Sequence, residues 1–302
     1  MSEHATAFKP SLRLFDATMI VAGSMIGSGI FIVSTDIVRN VGSAGWLIVV
    51  WLITGLMTVM AAVSYGELSG MFPKAGGQDV FLKEAFSPLA GFLYGWSSFT
   101  VIQTATIAAV AVAFSRFTSY LIPELGENVF LMTIGSFHIS AAQVLAIALI
   151  LFLTYTNTKG IKGGKIIQTT FTTVKLLSLF GLIILGFLLV KHSFWQENWQ
   201  TGLQASQLEK AGGKFVIHGS WLPISGTVLI GAIAASMVGS LFSSDAWNNV
   251  TFIAAEIKNP KRNIGLSLFL GTFIVSAIYI TTNLMYLNVL SIDQMAFPAG
   301  DR

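Results

Sequence analysis

The sequence predicts an all-α integral membrane protein, and three observations carry that prediction. Of its 302 residues, 54% are apolar and 10% are charged, where soluble domains carry about one quarter charged residues. Its apolar runs reach about 20 residues, the length of helix that crosses a bilayer core, whereas barrel strands are about 10 residues long and alternate in polarity. Two of the runs are interrupted. Residues 21–31, VAGSMIGSGIF, carry Gly23, Gly27 and Gly29, and residues 236–249, SMVGSLFSSDAWNN, carry serines, a carboxylate and two amides. An opened helix in lipid exposes N–H and C=O groups at several kcal/mol each, so a break persists only where protein or a polar cavity satisfies them.

Seven spans follow from the hydropathy, at about residues 14–39, 45–71, 88–121, 139–157, 165–191, 225–257 and 264–290. The polar N-terminal stretch, MSEHATAFKPSLRLFD, is followed by no small-residue cleavage pattern, so the first span is expected to be retained. Between the second and third spans, PKAGGQDVFLKEAFSP predicts a short interfacial helix with Phe81, Leu82 and Phe86 toward lipid and Lys83 and Glu84 toward water. Pro73 and Pro88 bracket it. The third span sets Gln103, Thr104 and Thr106 at mid-depth, where they either bond their own helix's carbonyls or line a pore. A long loop, about 192–224, separates the fifth span from the sixth. Lys9 and Arg13, Lys74 and Lys83, Lys159, Lys162 and Lys165, and Lys258, Lys261 and Arg262 all fall on one side. By the positive-inside rule that side is the cytoplasm, which also holds the N-terminus.

Several function classes are set aside by the residues. The chain has no cysteine, so disulfides, thiol chemistry and Cys-based metal sites are excluded, and its four histidines show no ligand spacing. No metal or cofactor is expected. The net charge of +3 sits mostly in loops and gives no sign of nucleic-acid binding. GSMIGSG looks like a glycine-rich phosphate loop, but no strand pattern precedes it and it lies within a span. No nucleophile, base and orienting group recur at usable spacing, so an enzyme is not expected.

The breaks have a chemical use. One Gly-rich stretch alone reads equally well as a close helix contact, but two interrupted spans point to a transporter. A break at Gly27, Ser28 and Gly29 frees the N–H groups of the outer half-helix, whose dipole carries about half a positive charge and can hold a carboxylate. A break from Phe242 through Ser243, Ser244 and Asp245 frees carbonyls that can accept from an ammonium group. An anion pocket beside a cation pocket suits an α-amino acid. Asp245 has two readings: it caps a half-helix beginning near Ala246, or it contacts substrate or a proton. Lys175, about ten residues into the fifth span, is too deep to reach the interface, and its ammonium is expected to find carbonyls at residues 23–26.

Three segments carry a family resemblance: residues 25–31, MIGSGIF; residues 65–77, YGELSGMFPKAGG; and residues 241–263, LFSSDAWNNVTFIAAEIKNPKRN. They resemble, in order and across nearly the whole chain, motifs of the L-type amino acid transporters of the amino acid, polyamine and organocation superfamily. The resemblance implies a leucine-transporter-like inverted-repeat fold with helices 1 and 6 broken. On this reading residues 1–302 are a single transmembrane domain holding the N-terminal seven spans, with the first repeat at about 14–191 and the start of the second at about 225–290. It implies sodium-independent exchange of neutral L-amino acids by alternating access, at a cell membrane. Gly27, Ser28 and Gly29 would bind the carboxylate, carbonyls around Phe242 and Ser243 the amine, and Phe242 would gate the site from outside. Lys175 matches a lysine standing where sodium sits in sodium-coupled relatives.

The chain also departs from the pattern. Ser244 replaces a frequent aromatic residue and Ala246 a usual glycine. Without cysteine, the disulfide-linked glycoprotein partner of animal members is excluded. Proton-coupled uptake, transport of cationic amino acids or polyamines, and a non-transporting truncated product are the competing readings. A seven-helix receptor is disfavoured by the charge bias and by the breaks.

Overall fold

The computed structural model describes residues 10–74, 76–134, 137–158, 161–216 and 218–297. The first span opens where Asp16 Oδ2 accepts from the Arg13 N–H at 3.0 Å, closing the first turn of α1 (Leu14–Met25). That helix stops at Met25, and α2 (Gly29–Val41) resumes at an angle of 47° to it. Gly42 ends α2 in the left-handed region at φ 52°, which glycine adopts without strain. One residue on, Ser43 caps α3 (Ala44–Met71) by accepting from the Trp46 N–H. At 28 residues, α3 is about 42 Å long, more than the hydrocarbon thickness.

Then come the short α4 (Gln78–Ala85) and the third span, α5 (Pro88–Ser97) and α6 (Gln103–Ser119), joined by a π-helical turn at Ser98–Ile102. Pro88 stands in the first turn, where its missing N–H costs nothing. Thr104 and Thr106 donate to Phe99 O and Ile102 O within their own helix, each at 2.8 Å, the local reading of these two residues. The fourth span, α7 (Ala141–Thr158), follows an antiparallel pair, β1 (Phe130–Ile134) and β2 (Phe137–Ser140). The fifth is α8 (Ile161–Leu188).

The long loop is folded. It holds α9 (Trp195–Trp199) and two antiparallel pairs: β3 (Ser206–Leu208) with β6 (Trp221–Pro223), and β4 (Lys210–Ala211) with β5 (Lys214–Phe215). Gly212 and Gly213, at φ 58° and 81°, make the two-residue turn of the second pair. The loop is fastened to helix ends by Ser43 Oγ donating to Gly202 O at 2.7 Å and Trp46 Nε1 to Leu203 O at 2.8 Å. Asn198 Nδ2 donates to Leu287 O and Leu290 O, each at 2.8 Å.

The sixth span differs from the expectation in its second half. α10 (Gly226–Ser243) is a full helix, but after the break only one turn, α11 (Asn249–Phe252), and a 3₁₀ turn at Ala254–Glu256 follow. Ala246, at φ 65°, reverses the chain and prevents the helix from resuming at once. The seventh span, α12 (Pro260–Val289), and the short α13 (Ile292–Ala296) complete the order. Among the described residues, six helices are long and apolar enough to cross a membrane, and α1 with α2 makes a seventh as one bent span.

Contacts group the chain into two units, Met1–Gly77 with Thr170–Arg302, and Gln78–Thr169. In the first, α12 packs along α3, and both flank the broken helices. Gly66 meets Gly265 backbone to backbone, while Trp51 and Tyr279 are buried edge to face, with ring centroids 5.3 Å apart. In the second unit, α4 packs on α5 through Gly91; Phe81 is buried rather than turned toward lipid, a correction to the interfacial-helix expectation. Gly91 lets the two helices close, since a Cβ there would meet Asp79 O and the Lys83 side chain.

Candidate functional site

The site is built from the inside of the first break outward. The last α-helical bond of α1 runs from Ile26 N to Ala22 O at 3.0 Å, and Ile26 then turns extended at ψ 102°. Among the described residues the N–H groups of Ser28, Gly29 and Ile30 find no hydrogen-bond partner, and the next one, Phe31 N, reaches Ser28 O at 3.1 Å. These are the unpaired donors that begin every helix, here at the start of α2. A side chain built on Gly27 would meet nothing within 4 Å, so the break faces open space on that side.

The other two glycines are contact positions. A Cβ on Gly23 would collide with Thr172 of α8, and one on Gly29 would collide with the Ser243 side chain. The second of these contacts brings the two breaks together. α10 ends there: Ser244 N returns to Ser240 O at 3.0 Å, and Asp245 N to Phe242 O at 3.3 Å. Ser243 and Ser244 are buried, and Phe242 is 70% exposed. The Ser243 hydroxyl bonds back to Gly239 O at 2.9 Å, so at the contact with Gly29 it is already engaged.

Two side chains occupy the carbonyl end of α1. Lys175 Nζ donates to Ile26 O at 3.0 Å and to Gly23 O at 3.4 Å, the partners expected from its position in the sequence. Tyr279 Oη lies 3.1 Å from both Met25 O and Ser243 O, so its one proton is shared between the ends of the two half-helices. The sequence reading missed Tyr279. Its signal was available, a tyrosine within an apolar span whose hydroxyl must find a partner when buried.

The electrostatic result is asymmetric. The C-terminus of α1 carries about half a negative charge, which the Lys175 ammonium offsets, whereas the N-terminus of α2 carries about half a positive charge and its first turn holds no acidic residue. Unpaired N–H groups at a helix N-terminus are of the kind that can hold an anion. Asp245 does not cap a half-helix near Ala246, because the next helical turn begins at Asn249, with Asn248 at its N-cap. Asp245 is exposed, and among the described residues its carboxylate makes no hydrogen bond.

Polar ties hold the frame. Ser34 Oγ donates to Asn283 Oδ1 at 2.6 Å, joining α2 to α12, and Thr54 and Ser240 hydroxyls lie 2.7 Å apart, joining α3 to α10. Tyr65 packs edge-on against Trp247 with ring centroids 5.0 Å apart, just past the second break. Leu12 and Ile257 form a parallel bridge, with Leu12 N to Glu256 O at 3.0 Å and Lys258 N to Leu12 O at 2.8 Å. Among the described residues no group of His, Asp and Glu could hold a metal ion.

Two interrupted helices in contact at their breaks, within a set of membrane-length helices, define a multi-pass membrane protein of the broken-helix class. The chain belongs to the amino acid permease family, whose model matches residues 12–301. It is 26% identical over 309 residues to the human "b(0,+)-type amino acid transporter 1", covering 98% of this chain and 56% of that protein. It is 27% identical over 289 residues to the mouse "Asc-type amino acid transporter 1", and 28% over 291 residues to the human "Large neutral amino acids transporter small subunit 2". In each of those two cases the match covers 96% of this chain and 49% of the relative. The chain thus spans about half the length of the curated relatives it matches. The family and these relatives are transporters, not enzymes, as the residues and the resemblance led one to expect.

Proposed function

We propose that this chain carries the substrate site of a sodium-independent exchanger of neutral L-amino acids, working by alternating access in the cell membrane with its N-terminus in the cytoplasm. The observation that carries the proposal is the contact of Gly29 with Ser243. It sets the unpaired N–H groups at residues 28–30 beside the end of α10. A carboxylate on those N–H groups and an ammonium on the carbonyls near Phe242 and Ser243 would satisfy both ends of a zwitterion with backbone alone, which leaves the side chain of the substrate free to vary. Lys175 supplies the fixed positive charge that an ion would otherwise bring to the α1 carbonyls. Phe242, exposed at the end of α10, would cover the substrate from the outside. The division into a repeat at about 14–191 and the start of another at about 225–290 rests on the family resemblance.

A second reading has its own observation. The exposed Asp245 carboxylate next to Phe242, without a partner among the described residues, favours a cationic amino acid or polyamine, or proton-coupled uptake.

Counterflow in proteoliposomes separates the two. Neutral exchange predicts uptake of labelled leucine against internal leucine in sodium-free buffer with no pH gradient, unaffected by Asp245→Asn. Uptake restricted to arginine or lysine and lost in Asp245→Asn would establish the second reading instead, and an absolute sodium requirement would contradict both.

A further inference from the structure

The residues 65–77 motif and the start of α12 meet in a feature that the transport site does not use. Gly66 and Gly265 bring α3 and α12 so close that a Cβ on Gly66 would lie 2.8 Å from Gly265 Cα, and one on Gly70 would lie 3.4 Å from Lys261 O. With no side chains to fill the crossing, its outer side is an open groove of about 660 Å³. Val63, Met71 and Phe269 form its apolar walls, and Glu67 and Lys261 stand on it from opposite helices. Both charged residues are exposed, and among the described residues neither makes an ion pair or hydrogen bond with its side chain. Glu67 lies in the last turns of α3 and Lys261 in the first turn of α12, so both sit where the spans leave the bilayer. A lysine reaches interfacial water along its stem. A glutamate facing an apolar trough is shorter, and needs a cation brought to it.

We propose that this groove is a binding site for a phospholipid with a primary-amine, net-neutral headgroup, of the phosphatidylethanolamine type. Glu67 accepts from the headgroup ammonium, Lys261 donates to the phosphate, and an acyl chain lies along Val63 and Phe269. Charge complementarity selects this occupant. A choline headgroup carries the same charges but has no N–H to donate, and a glycerol headgroup has no cation for Glu67.

The test uses the purified, delipidated chain in mild detergent, titrated with phosphatidylethanolamine, phosphatidylcholine or phosphatidylglycerol of identical acyl chains and read by native mass spectrometry. The ethanolamine lipid should be retained at about tenfold lower concentration than either other lipid. Glu67→Gln should bring it level with the choline lipid, and Lys261→Gln should weaken both the ethanolamine and the glycerol lipid. Carbodiimide treatment gives a readout that needs no variant: it should join the headgroup amine to the Glu67 carboxylate as an amide, seen as a mass increment on that peptide, with none from the choline lipid. Equal retention of the three lipids, an ethanolamine preference that survives Glu67→Gln, or the absence of the Glu67 adduct because a second copy or another segment covers the groove would overturn the proposal.

Discussion

Lys175 and Tyr279 are the two side chains that make the first break tolerable, and each invites a test. Lys175→Ala leaves Ile26 O and Gly23 O without the ammonium that now reaches them. Losing charge-assisted bonds to buried groups costs about 1–3 kcal/mol, and the α1 end regains its uncompensated dipole. Exchange should fall about tenfold or more while membrane insertion is kept, measured as initial counterflow rate against the amount of reconstituted protein. Full-rate exchange would reduce the lysine to an anchor between α1 and α8. Tyr279→Phe keeps the ring packing against Trp51 and removes only the hydroxyl shared by Met25 O and Ser243 O. The two half-helix ends should then uncouple, slowing exchange with little change in thermal stability. An unchanged rate would show that the shared proton is structural.

The two residues were not equally legible. A lysine deep in a span must find partners in the protein, and the first break becomes the place to look for them once the family resemblance sets Lys175 where sodium sits in sodium-coupled relatives. A buried tyrosine must also find a partner, but which carbonyls it meets depends on how α12 crosses both breaks, and that is a tertiary fact. The capping reading of Asp245 failed for a similar reason. It required a helix beginning near Ala246, and the positive φ of that residue moves the next turn to Asn249.

At the scale of elements, glycines set which helices approach. Gly66 faces backbone and Gly70 faces open groove, so the two should respond differently to the same small change. Gly66→Val forces α3 and α12 apart, an overpacking that costs about 1–3 kcal/mol, and should lower the thermal midpoint in detergent. Gly70→Ala should leave it nearly unchanged, since its nearest neighbour is 3.4 Å away. Equal midpoints for both variants would refute the close crossing. Span positions were legible because a bilayer demands long apolar runs. The folded loop between α8 and α10 was not expected, although the Gly212–Gly213 pair is a hairpin signal in plain view. Its pairing of β3 with β6 joins segments separated by that hairpin, a register that polar sequence alone does not specify.

At the scale of the whole molecule, both breaks, Lys175 and Tyr279 belong to the same unit, residues up to Gly77 and from Thr170 onward. The central claim is that this unit reads a zwitterion with backbone donors and acceptors and needs no sodium ion to do so. The most direct measurement is equilibrium binding to the reconstituted protein of three ligands: leucine, leucinol, which lacks the carboxylate, and 4-methylpentanoic acid, which lacks the amine. Each is measured in sodium and in choline buffer. Leucine should bind equally in both buffers, and the other two should bind at least about tenfold more weakly, as expected when a charge-assisted contact is lost. Leucinol binding as tightly as leucine, or leucine binding that disappears without sodium, would contradict that claim.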